Sequence, residues 1–123
     1  MGKKILIVDD SKTIRQQVSF TLTKGGFEVV EAEDGQLGLE ALKANADIAM
    51  IISDVNMPNM NGIEMVQAIS KDAAFKHLPV VMLTTEGSGE LIQQAKDAGA
   101  KGWLVKPFKP DQLLAAVTKL AGA

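Results

Sequence analysis

The residues of this sequence best suited to chemistry are the adjacent pair Asp9 and Asp10, a third carboxylate at Asp54, the hydroxyl of Thr84 and the amine of Lys106. Each ends or follows a short apolar run: "ILIV" precedes the acid pair, "IAMIIS" precedes Asp54, "VVMLT" ends on Thr84, and "WLV" leads, one residue on, to Lys106. Singly, each has a plain structural use. An Asp before a helix is commonly an N-cap, an Asp after a strand starts a turn, and a Thr suits a strand end. Jointly they would stand at one end of one sheet. A second carboxylate beside the first is also not needed for capping.

Three carboxylates against one ammonium leave two negative charges, which one divalent cation would neutralise. The chain has no Cys, and its one His, His77, lies away from these runs. The ligands would then be oxygens and the ion a hard one. Mg²⁺ suits a site of few carboxylates that keeps several waters and leaves room for a phosphoryl oxygen. The ion would also relieve the repulsion within the acid pair. Beside it, Asp54 could attack phosphorus and form an aspartyl phosphate. Lys106 would offset charge on the transferring oxygens, and Thr84 would donate a hydrogen bond to one of them. Phosphorylation would change the local charge by roughly one unit, enough to draw a hydroxyl and its loop inward.

The elements that must position these groups follow from the pattern of apolar residues. Strands are expected over 4–8, 28–32, 48–53, 79–84 and 102–105. The second, "EVVEA", is the most polar and is expected at a sheet edge. Helices are expected between and after them. In 11–24, Ile14, Val18 and Leu22 share one face, and Gly25-Gly26 ends the helix. Asp34 caps a second helix ending near Asn45. A third carries Met65, Val66 and Ile69, a fourth spans 89–100 with Gly99 as its terminator, and a fifth opens at Pro110 and runs to 120. Met50, Met65 and Met82 read as core. Met57 and Met60 fall in the irregular loop 54–62 and are expected to pack beside the site or a partner. Alternating βα units with apolar strands imply a parallel sheet covered on both faces.

With 123 residues, 46% of them apolar, and no linker or low-complexity tract, the chain is expected to form one domain. Net charge is −2 with Lys and Arg dispersed, which argues against nucleic acid. No apolar run approaches a membrane span, and a cytoplasmic protein is expected.

The set "VDD", "DVNMPNMNG", "VVMLTTE" and "KGWLVKPF" resembles the receiver domain of two-component response regulators over the full length, most of all single-domain chemotaxis response regulators. The resemblance implies a flavodoxin-like (βα)5 three-layer sandwich of strand order 2-1-3-4-5, with residues 1–123 a receiver lacking an output domain. It implies Asp54 as the phosphorylation site. Asp9 and Asp10 become the acids for Mg²⁺, Asp10 directly and Asp9 through water, with the Asn56 backbone carbonyl completing the set. Thr84 becomes the switch hydroxyl, and Lys106 pairs with the phosphoryl group, next to a cis Lys106–Pro107 bond. Asn56 and Glu86 would tune phosphoryl lifetime, although Glu86 equally suits a helix N-terminus. Trp103 falls where the family has a smaller switch aromatic, and the larger indole is expected to fit inward less easily.

The implied protein is a signalling switch, not an enzyme beyond its own phosphorylation and dephosphorylation. Its donor would be a sensor histidine kinase, of chemotaxis type. Its output would run through protein contacts, with a flagellar motor switch protein or a phosphatase as partner, and it would act as a monomer. Three alternatives differ by class. A flavodoxin-like cofactor binder would need a phosphate-cradling loop after the first strand, where this chain is acidic. A haloacid-dehalogenase-type phosphatase would need Asp-x-Asp where this chain has "VDDS". A degenerate receiver used only for docking would not need all the site residues.

Overall fold

The run Ile5, Leu6, Ile7, Val8 is buried at every position in strand β1 (Lys4–Val8). Successive strand side chains point to opposite faces, so unbroken burial requires cover on both. Strand β4 (Val80–Thr84) is likewise buried throughout, and β3 (Ile48–Ser53) nearly so. Strands β2 (Glu28–Ala32) and β5 (Gly102–Val105) are mixed, as edge strands are. The computed structural model describes residues 3–55, 57, 59–84, 89–106 and 108–121. In it the five strands pair in parallel in the order β2-β1-β3-β4-β5. The polar "EVVEA" lies at the edge as expected.

Helices α1 (Lys12–Lys24), α2 (Gly35–Ala44), α3 (Gly62–Lys71), α4 (Gly89–Ala98) and α5 (Pro110–Ala121) alternate with the strands. They cover two cores. One face of the sheet packs Leu6, Val8 and Met82 against Leu42, Met65, Val66 and Ala95 of α2, α3 and α4. The other packs Ile5, Ile7 and Ile52 against Val18 and Leu22 of α1 and Leu113 and Val117 of α5. Met50, Met65 and Met82 are fully buried, and Met57 and Met60 lean on the first core.

One boundary differs slightly from expectation, and one terminator falls where expected. Pro79 precedes β4, yet its carbonyl accepts from Ile51 N–H at 3.0 Å, so pairing starts at that carbonyl. Helix α4 stops at Ala98 because Gly99 turns to φ 121°, where glycine is favoured, and its N–H closes on the Ala95 carbonyl.

Chain connections leave β1 and β3 toward opposite sides of the sheet. The crevice this opens lies at the carboxyl ends of those strands, where open α/β sheets bind ligands. Among the described residues, no helix is long and apolar enough to cross a membrane.

Candidate functional site

Strand register brings the chemical residues together. Val8 pairs with Ser53, so the next residues, Asp9 and Asp54, leave neighbouring strands side by side, and Asp54 N–H donates to Val8 O at 2.8 Å. Thr84 pairs with Val105, and the next residue, Lys106, donates its N–H to Thr84 O at 2.8 Å. Thr84 is buried at the strand end. One carboxylate oxygen from each of Asp9, Asp10 and Asp54 lies within 4.8 Å of the others.

The three acids are held differently. Asp9 is buried and both its oxygens are engaged: Oδ1 accepts from Ser11 N–H at 2.9 Å and Oδ2 from Lys106 Nζ at 2.8 Å. Asp54 is buried, with Oδ1 accepting from Val55 N–H at 2.7 Å and Oδ2 lying 3.5 Å from Lys106 Nζ. Asp10 is exposed, and its carboxylate bonds to none of the described residues. Neither Asp9 nor Asp10 caps α1. The cap is Ser11, whose Oγ accepts from Ile14 N–H at 3.3 Å. Gly62 backs the site so closely that a Cβ there would overlap the Asp54 carbonyl oxygen.

Burial pushes the Asp54 carboxyl above the ordinary Asp range, and the charge of Asp9 pushes it further; Lys106 and the Val55 N–H oppose this only in part. The site therefore keeps a surplus of negative potential. An all-oxygen, carboxylate-rich donor set with such a surplus fits a hard divalent cation. Asp9, Asp10 and Asp54 are the side chains that could hold one.

Trp103 pairs in register with Met82 and packs, partly buried, against the first core. Its Nε1 is sealed from solvent with no acceptor among the described residues. The indole is partly buried in this position. Asn56, Glu86 and Pro107, and with Pro107 the Lys106–Pro107 bond, lie outside the described residues.

From the acids an open groove of about 770 Å³ runs along α1 and the start of α5, lined by Ile14, Gln17, Phe20, Phe108 and Pro110 among others. Phe20 is 67% exposed at its far end.

Two supports were not anticipated from sequence. Arg15 is buried and donates from Nη1 to the Asp9 carbonyl at 2.6 Å. A signal existed: Arg15 sits on the inward stripe of α1, beside Ile14 and Val18, where a charge needs a partner. Asp34 caps α2 through Leu37 N–H at 2.8 Å, as expected, but also accepts from Asn59 Nδ2 at 2.8 Å. These bonds hold its carboxyl below the ordinary Asp range. Asn59 has φ 66°, a conformation Asn tolerates, and so ties the loop after Asp54 to α2.

Residues 5–118 match the response regulator receiver domain family. The chain is 45% identical to chemotaxis protein CheY1 of Helicobacter pylori over 111 residues, which cover 89% of this chain and 90% of that protein. It superposes on chemotaxis protein CheY4 of Vibrio cholerae with a TM-score of 0.91 at 48% identity, covering 98% and 99% of the two chains. It also superposes on a chain of the CheX-CheY-BeF3-Mg²⁺ complex of Borrelia burgdorferi, with a TM-score of 0.87 at 30% identity and coverage of 94% and 87%. The chain belongs to the response regulator receiver domain family and is a two-component phosphorelay signalling switch.

Proposed function

We propose that this receiver takes a phosphoryl group from the phosphohistidine of a sensor kinase onto Asp54, in a reaction that needs Mg²⁺, and signals through protein contacts in chemotaxis. The observation that carries this reading is the meeting of Asp9, Asp10 and Asp54, with Lys106 Nζ set against Asp9 and Asp54. The names of its relatives support the chemotactic setting, and with it a cytoplasmic location.

In this reading an Asp54 oxygen attacks phosphorus, the P–N bond to imidazole breaks, and an acyl phosphate forms. A bound Mg²⁺ would offset negative charge on the acids and on the phosphoryl oxygens. The Val55 N–H fixes the Asp54 carboxylate by one oxygen, which removes rotational freedom before reaction. Asp10, exposed and unengaged, is the acid free to coordinate directly; Asp9, with both oxygens engaged, acts through water. Lys106 moves from Asp9 to the incoming phosphoryl group. Thr84 then turns its hydroxyl toward the new acyl phosphate, carrying the change to β5 and Trp103. The groove along α1 gives a donor helix access to Asp54. The protein's further partner is a flagellar motor switch protein or a phosphatase; the Borrelia relative is itself bound to another protein, CheX.

Intact mass after incubation with acetyl phosphate tests this. Gain of one phosphoryl group with Mg²⁺, abolished by chelator and by Asp54→Asn, is expected. No gain, or a gain that persists in Asp54→Asn, would overturn the assignment.

A further inference from the structure

Arg15 is a buried charged group bonded to the backbone of the acid pair, and the reaction does not use it. Its side chain is only 10% exposed and makes two contacts at once. Nη1 donates to the Asp9 carbonyl oxygen at 2.6 Å, and Nε donates to Glu31 Oε1 at 3.2 Å. Glu31 is held in turn by Ser19 Oγ, which donates to Oε2 at 3.0 Å. From the other side, the Asp9 N–H donates to Ala32 O, next to Glu31 on β2, at 3.1 Å. The residue Asp9 is thus gripped at both backbone ends.

The grip matters because of what the Asp9 carbonyl belongs to. That oxygen and the Cα of Asp10 lie in one rigid peptide plane. Fixing the oxygen fixes the direction in which Asp10 leaves the strand. Nothing among the described residues holds the Asp10 side chain itself. Its aim is therefore set through the backbone.

We infer that Arg15, braced by Glu31, is a positioning residue for the acid pair: it orients the Asp9–Asp10 peptide so that the Asp10 carboxylate faces the cation. This rests on the reading of Asp9, Asp10 and Asp54 as the acids that hold Mg²⁺. Charge alone makes the opposite forecast. A guanidinium near a cation site repels the cation, so removing it should tighten Mg²⁺ binding. Orientation forecasts weaker binding when Arg15 is lost.

The test is the Mg²⁺ dissociation constant, by calorimetric titration of the unphosphorylated protein. Arg15→Gln should raise it roughly tenfold despite removing a positive charge. Arg15→Lys keeps the charge but loses the fork that spans both partners, so it should also bind more weakly. Unchanged or tighter binding in both variants overturns the inference. If Arg15→Gln does not fold, Arg15→Lys decides alone, since a pure charge effect leaves it at the wild-type value. Asp10→Asn separates the two levels. If wild type binds no Mg²⁺, or Asp10→Asn binds it equally well, the site reading fails. If Asp10→Asn loses binding while both Arg15 variants keep it, only the role of Arg15 fails.

Discussion

Lys106 is bonded to Asp9, at 2.8 Å, and stands off from Asp54, at 3.5 Å. The amine thus rests on the acid that is not expected to react, and it shields both acids from each other. A cation entering the site meets a like charge already in place. Lys106→Met should therefore bind Mg²⁺ more tightly, by a factor of about 5, corresponding to roughly 1 kcal/mol of relieved repulsion. The same variant should be phosphorylated at least about tenfold more slowly, because the transferring oxygens lose a positive partner. Calorimetric titration and time-resolved intact mass measure the two effects. Loss of Mg²⁺ affinity in Lys106→Met would contradict the resting role assigned to the lysine.

Asp54 provides a stability prediction with a definite sign. Its native carboxyl titrates above the ordinary Asp value, so the native state holds the proton more readily than the unfolded chain. Between the ordinary value and the raised one, stability falls as pH rises. Asp54→Asn removes this burden. Without metal at neutral pH its thermal midpoint should exceed that of wild type by a few degrees, about 1 kcal/mol corresponding to roughly 4 °C. The gap should close as pH falls through the carboxylate range. Mg²⁺ reverses the order, since a ligand at about a hundredfold excess over its dissociation constant stabilises the wild type by roughly 2.7 kcal/mol. Thermal melts in chelator and in Mg²⁺ across pH measure this. A metal-free Asp54→Asn no more stable than wild type would refute it.

Gly62 places the start of α3 directly against the strand end that carries Asp54. Gly62→Ala would push the Asp54 backbone aside and should cost about 2–3 kcal/mol, as overpacking does. Phosphorylation should slow as well, because Asp54 leaves its position beside Val8 O. Gly89, at the start of α4, has open space where a Cβ would go, so Gly89→Ala serves as the matched control and should be neutral or slightly stabilising. Urea midpoints that fall equally in both variants would remove the steric argument.

The inner strands β1, β3 and β4 were legible because parallel strands buried on both faces read as nearly unbroken apolar runs, and the residues ending those runs meet in the crevice; the edge strands β2 and β5 were legible only as short β-rich runs between helical stretches. The order of the strands was not: periodicity cannot say that β3, and not β2, carries the chain across to β4, and the order came from family resemblance. Long-range partners were equally hidden. Asp9, Asp54 and Lys106 could be summed as charges, but nothing local says that the lysine chooses Asp9. The bond of Asn59 was hidden in the same way, its partner Asp34 lying 25 residues away, whereas the place of Arg15 on the inward stripe of α1 was a local sign of a charge that needs a partner.

Trp103 buries an indole N–H that has no acceptor among the described residues. A buried donor left unpaired costs about 1–3 kcal/mol, which offsets much of what the ring contributes by covering apolar surface. Trp103→Phe keeps most of the cover and removes the unpaired donor. Its urea midpoint should therefore lie within about 1 kcal/mol of wild type, while Trp103→Ala, which opens a void, should lose at least about 2 kcal/mol. As the one tryptophan, Trp103 should also report the site: its emission should change when Mg²⁺ and acetyl phosphate are added together, and stay unchanged in Asp54→Asn. A Trp103→Phe variant as unstable as Trp103→Ala would mean that the indole N–H has a partner after all, and that Trp103 is anchored by a hydrogen bond and not by packing alone.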